Sequence, residues 1–225
     1  YGVSAPIEII PTGIDLTRFS QGDPTWLRRE LQIDPAEKIL LFVGRLTKEK
    51  NVELLIRAFA QIQKGYPQTR LVLVAGGPEA ENLKDLVEAL DLNERVIFMG
   101  AQTGPALVNC YHGADCFVFP SVTETQGLVI LEAMAAGLPV VAVKAFGVAD
   151  MISSGQDGVL TGSSLEEFAS GISWLLENES QWGAMSELAR AKASQLSSAQ
   201  MALKLEAAYL KVLEQRWRFK QQISG

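Results

Sequence analysis

The sequence predicts an α/β protein built on a doubly wound parallel sheet, and three observations carry that reading. Short apolar runs recur between residues 38 and 161, each run is continuous rather than alternating, and a stretch of helical period follows most of them. Continuous hydrophobicity marks strands covered on both faces, as in a parallel sheet between two layers of helix. Strand and helix alternating in this order give βαβ units, whose right-handed crossovers wind the chain onto both faces.

The chain opens with YGVSAPIEIIPTG (1–13), which reads as beginning within a strand. It has neither the basic nor the apolar region of a signal peptide. With no initiating Met, it reads as a piece of something longer. The strands follow as KILLFVGR (38–45), RLVLVAGG (70–77), RVIFMG (95–100), DCFVFPS (115–121), LPVVAVK (138–144) and GVLT (158–161). Between them, residues 51–66, 79–92, 104–114, 127–137 and 147–155 carry apolar residues near i, i+3 and i+4 and stop at or near Gly, Pro or Asp, as helices do. Beyond residue 162 the pattern is helical only, in 164–180, 181–195 and 198–222. The last is long and amphipathic, and should pack across the body of the protein or onto a neighbour. No repeat or linker divides the chain, so we read one unit over 1–225, an α/β core at 7–162 and C-terminal helices at 163–225.

The totals narrow the function. A net charge of -6 argues against a nucleic-acid footprint, which needs a basic face. Cys110 and Cys116 match neither a zinc knuckle nor a CxxC pair, and His112 is the single histidine, so no metal site is expected. Few cysteines fit a reducing compartment. No apolar run reaches the roughly 18 residues of a membrane span.

Ligands of doubly wound sheets bind where strands end, so the strand-to-helix turns matter most. None holds a GxGxxG fingerprint or a P-loop. The first turn offers Arg45, Lys50 and a helix N-terminus near Asn51: a fork donor, a point charge and a dipole that together suit a diphosphate. The alternative is that both, with Lys48, are solvated loop cations. In ETQGLVILEAMAAGLPVVAV (124–143), Glu124 and Glu132 sit eight positions apart in greasy surroundings, where a carboxylate requires a partner. Separated by up to about 12 Å at helical rise, they cannot share one proton, but could each take vicinal hydroxyls of an elongated sugar ligand. Structural alternatives are a Thr123–Gln126 capping box and a salt bridge from Glu132 to a buried cation.

Glu124 and Glu132 in SVTETQGLVILEAMAAGLPVV form an E-x7-E arrangement. With IIPTGIDLTRF, VGRLTKEKNVELLIRAF, VAGGPE and RVIFMG preceding it in that order, it resembles the C-terminal half of retaining GT-B glycosyltransferases of family 4, over residues 7–215. The resemblance implies a Rossmann-like donor domain for a nucleoside diphosphate sugar, with an N-terminal acceptor domain as partner. It implies Arg45 and Lys50 on the diphosphate and Glu124 on the transferred sugar as the catalytic set. Gln126, Gly127 and Leu128 would hold the sugar, Glu132 the ribose, Gln102 would border the base, and Gly13 would lie near the cleft. No cofactor and no metal are implied. Thr12 stands where Asn is common, Asn51 where Gly is frequent, and Gln126 where Phe is frequent. His112 lies on a helix rather than at a strand end and reads as structural. The expected setting is cytoplasmic. The tail EQRWRFKQQ (214–222) could touch an anionic membrane surface, but packing on the partner domain is the preferred reading. Other functions that the same residues permit are a nucleotide-sugar epimerase and a non-catalytic nucleotide-binding module.

Overall fold

The computed structural model describes the backbone of residues 6–223 and the side chains of residues 6–214. All six expected strands form: β1 (Lys38–Arg45), β2 (Thr69–Gly76), β3 (Val96–Phe98), β4 (Cys116–Phe119), β5 (Val140–Val143) and β6 (Gly158–Thr161). They make one parallel sheet in the order β3-β2-β1-β4-β5-β6. Successive strands step outward from β1 in one direction and then, from β4, in the other. The chain therefore reverses its winding between β1 and β4, and this is the point where doubly wound sheets open a crevice.

Two short helices precede the sheet, α1 (Leu16–Phe19) and α2 (Trp26–Leu31). The crossovers are α3 (Val52–Gln63), α4 (Ala80–Ala89), α5 (Gly104–Gly113) and α6 (Leu128–Ala136), followed by α7 (Leu165–Glu177), α8 (Trp182–Gln195) and α9 (Ser198–Ile223). α3 packs on α7, α6 on α8 and α2 on α5. Every residue of β4 and β5 is buried, in keeping with their unbroken apolar sequence. α6 is apolar nearly all round, the signature of a helix enclosed by the fold, with Glu132 its one ionisable residue. A chain of aromatic contacts runs beneath the reversal point: Phe19 to Tyr111 at 5.8 Å, Tyr111 to Phe117 at 5.9 Å, Phe117 to Phe119 at 6.1 Å and Phe119 to Phe42 at 6.3 Å. Such pairs add stabilisation beyond the area they bury.

Two expectations are corrected, and one of the two courses left open for the last helix is excluded. Residues 6–13 carry no strand, and residues 1–5 lie outside the described residues; the chain is pinned instead at Ile14, which bridges Ser197. The pattern at 147–155 is not a helix but successive turns, with Val148 N–H donating to the Ala145 carbonyl at 3.1 Å and Met151 N–H to the Val148 carbonyl at 3.0 Å. Its spacing still does what spacing dictates, since Val148, Met151 and Ile152 are all buried. α9 does not cross the body. After Met201 it stands away, leaving Leu203, Leu205, Tyr209, Leu210, Val212 and Leu213 exposed. The side chains of its tail from 215 onward lie outside the described residues.

Among the described residues no helix is long and apolar enough to cross a membrane. Phe117 is fully buried and touches two aromatic neighbours, so Phe117→Ala should cost about 3–5 kcal/mol, read as a lower urea midpoint with the slope unchanged.

Candidate functional site

The reversal point is where most of the sequence-selected residues meet. Arg45 ends β1, and a 3-10 turn at Lys48–Lys50 carries the chain into α3. Across the gap, β4 runs into the loop 120–127, and Gly127 caps α6. A cleft of about 390 Å³ lies between them, lined by Val43, Arg45, Lys50, Phe119, Glu124 and Gln126 and closed by Thr125, Leu128 and Val129. A larger depression of about 570 Å³ lies between α3 and α4, its lining including neither Glu124 nor Glu132.

The two loops are laced together. Lys50 Nζ donates to Glu124 at 2.6 Å, and both side chains are only 16% exposed. Lys50 also lies over the Phe119 ring at 5.6 Å. The Glu49 carbonyl accepts from the Ser121 hydroxyl at 3.2 Å and the Thr123 hydroxyl at 3.4 Å. Thr123 is thus spent on the facing loop, and α6 has no side-chain cap, so the Thr123–Gln126 capping box does not form. Arg45 is 72% exposed and meets Glu49 at 3.1 Å, a surface pair that contributes little and leaves the guanidinium free to turn.

Backbone conformation explains two residue choices. Gly127 sits at φ 54°, in the left-handed region that glycine enters without penalty. Asn51 adopts φ 52° and ψ 38°, the same region at the start of α3. Asn is among the few side chains that tolerate it, which accounts for Asn where Gly is frequent.

The two glutamates answer their burial differently. Burial pushes the Glu124 carboxyl up, but hydrogen bonds from Lys50 and from the Gly127 and Gln126 amides outweigh it and hold the group below its usual 4.5. For Glu132 burial dominates and raises it above 4.5, against the Tyr111 hydroxyl, which donates at 2.8 Å, and the nearby charge of Arg18. The partner of Glu132 is therefore a phenol, not a salt-bridged cation. Tyr111 is wholly buried, and its own ionisation is pushed well above 10.

Arg45, Lys50, Glu124, Gln126 and Leu128 line one cleft, Gly127 forms its turn, and Glu132 lies one helical turn farther along α6. Gln102 and Gly13 stand outside that lining. Gln102 donates to the Met99 carbonyl at 3.2 Å, and Gly13 is pressed against the Ser197–Ser198 backbone. His112 contacts the Phe19 carbonyl at 3.0 Å and serves to hold α1. Phe119, Val129 and Tyr111 were not singled out in the sequence; only the fold shows that they border the site.

A doubly wound parallel sheet with cations, a carboxylate and a helix N-terminus gathered at its reversal point defines a Rossmann-like α/β domain. The chain belongs to the Glycosyl transferases group 1 family, which it matches over residues 25–192. It is 35% identical over 221 residues to a D-inositol 3-phosphate glycosyltransferase from Nocardia farcinica, covering 95% of this chain and 48% of that protein. The chain thus spans about half the length of the curated relatives it matches. Its architecture matches GT-B structures. Sucrose-phosphate synthase from Thermosynechococcus elongatus superposes with a TM-score of 0.82 at 29% identity, covering 92% of this chain and 53% of that one. Anabaena HepE in complex with UDP and glucose superposes with 0.81 at 27% identity, covering 90% and 56%.

Because the folded Glu124 titrates below 4.5, its pairing contributes stability at pH above that value and loses it as pH falls through the folded value. Urea unfolding of wild type and Glu124→Gln should differ by a constant amount from pH 7 to 5 and converge below 4.5; Glu132, whose shift has the opposite sign, cancels in the comparison. At Asn51, Gly should be within about 0.5 kcal/mol of wild type, whereas Ala should cost about 1 kcal/mol by thermal unfolding.

Proposed function

We propose that this chain is the donor-binding half of a retaining family 4 glycosyltransferase. It would act in the cytoplasm with its own N-terminal domain and transfer a hexosyl group from a nucleoside diphosphate sugar to an acceptor. The observation that carries the reading is the convergence of Arg45, Lys50, Glu124 and the α6 N-terminus on one cleft at the β1/β4 reversal. That the Anabaena relative binds UDP and glucose supports a diphosphate donor.

In this reading the charge that develops when the sugar–phosphate bond breaks falls on the departing diphosphate. Lys50, fixed by Glu124 and Phe119, offers its remaining N–H donors, and Arg45 turns in from the rim to supply a planar fork. Fixed donors aimed at developing charge lower a barrier without reorganising, and that is how these residues act, with no metal in the scheme. Glu124 is held ionised and accepts hydrogen bonds from sugar hydroxyls; tied to Lys50, it is not assigned as a nucleophile. The amides at Gln126, Gly127 and Leu128 hold the sugar at the helix start. Glu132 keeps lone pairs beyond the one given to Tyr111 and takes the ribose hydroxyls, Gln102 borders the base, and Gly13 belongs to the passage into the partner domain.

Isothermal titration of the 225-residue chain with UDP, GDP and ADP tests the reading. One diphosphate should bind selectively, without sugar transfer by this chain alone. Lys50→Ala and Glu132→Ala should each weaken it roughly tenfold or more, about 1.4 kcal/mol. No binding of any of the three, or affinity unchanged in both variants, would overturn it.

A further inference from the structure

The segment between β5 and β6 was read from its period as a helix, and its turns place it against the donor loop at two points. Ala145, Val148, Met151 and Ile152 bury its underside in the core, so the segment is anchored. Its upper side meets the loop 124–127. The Gly147 amide donates to the Glu124 carbonyl at 3.0 Å, and Met151 packs below Gly127, its Sδ 3.0 Å from where a Cβ on that glycine would stand.

Gly147 is not at positive φ, so its conformation is open to any residue. Space is what excludes a side chain. A Cβ there would lie 2.8 Å from the Glu124 carbonyl oxygen and closer still to the Thr125 carbonyl, both backbone atoms that cannot swing away. Any side chain at 147 must push the loop carrying Glu124 off the segment. The carboxylate that loop carries is bonded to Lys50 at 2.6 Å and accepts its own loop's amides, Thr125 at 3.2 Å and Gln126 at 3.4 Å. A displacement of the loop backbone is therefore passed to the carboxylate and, through it, to the lysine.

We propose that residues 145–152 form a brace for the donor site and that Gly147 is a positioning residue, setting Glu124 against Lys50 by close backbone contact. The assignment rests on the donor-binding reading above. Gly147 touches no ligand in this scheme and acts only through the loop it supports. Phe146, next along the same segment and 98% exposed, takes no part in the contact and provides the control.

The test follows the Glu124 carboxyl by NMR titration, together with UDP affinity by calorimetry, in wild type, Gly147→Ala and Phe146→Ala. Lys50 is the charged side chain bonded to Glu124; among the described residues Lys144, Asp150 and Asp157, the ionisable groups between β5 and β6, make no bond to it, Asp157 being paired with Lys192. In Gly147→Ala the Glu124 titration should move up toward 4.5 and UDP binding should weaken roughly tenfold or more, while cooperative unfolding is retained. Phe146→Ala should shift neither. A folded Gly147→Ala with an unchanged Glu124 titration would overturn the brace. Should that variant not fold, Met151→Ala loosens the other contact without a clash and must raise the Glu124 titration, its failure to do so being equally fatal. Failure of wild type to bind UDP, GDP or ADP counts instead against the donor reading, since the Glu124 titration judges the brace without ligand.

Discussion

All six strands run the same way, and that constraint decides where chemistry can occur. Parallel strands cannot be joined by tight turns, so each needs a crossover, and every strand-to-helix loop emerges on one edge of the sheet. Loops on one edge usually lean toward neighbouring helices and fill the space above the sheet. Only where the winding reverses do two adjacent loops diverge. Here these are the loops after β1 and β4, whose strands pair through two residues only, Leu40 with Cys116 and Leu41 with Phe117. The Phe42, Phe117 and Phe119 stack fills the body of the sheet below and leaves the gap above to polar groups.

The gap is held at a fixed width by the Lys50–Glu124 pair. Two charges at 16% exposure lose much of their hydration, and for Glu124 the bonds it accepts outweigh that cost, so the pair both spaces the loops and contributes stability. Its geometry is maintained by neutral bonds on either side, from Ser121 and Thr123 to the Glu49 carbonyl and from Gly147 to the Glu124 carbonyl. Arg45, by contrast, is held by one exposed partner. One cation is thus buried and bonded from several sides, the other exposed at the rim with a single surface partner.

The fold was legible because it depends on composition over short windows. KILLFVGR and LPVVAVK are too uniformly apolar to lie anywhere but inside a sheet. Arg45, Lys50, Glu124, Gln126 and Leu128 were legible because strand ends are visible in sequence and strand ends converge. What failed to show depends on distant partners. Period places Val148, Met151 and Ile152 on one side but does not distinguish a helix from successive turns. Nothing in the sequence near Thr123 reveals that its hydroxyl is taken by Glu49 on the opposite loop. The course of α9 was open for a related reason: an amphipathic period requires a partner surface without naming it.

The two glutamates of the E-x7-E arrangement show how one short segment obtains opposite electrostatics. Glu124 lies in a loop, where a lysine and free amides can reach it, and its charge is favoured. Glu132 lies one turn into a helix whose own amides are engaged, so the support it receives comes from α5, as the Tyr111 hydroxyl, and from the charge of Arg18 on α1. A single phenol leaves most of the acceptor capacity of this half-buried carboxylate unused. Under the donor-binding proposal, the oxygen lone pairs that Tyr111 leaves open are the ones that two adjacent ligand hydroxyls would take. Tyr111 is itself wholly buried, so its bond to one carboxylate oxygen fixes the Glu132 side chain from the α5 side.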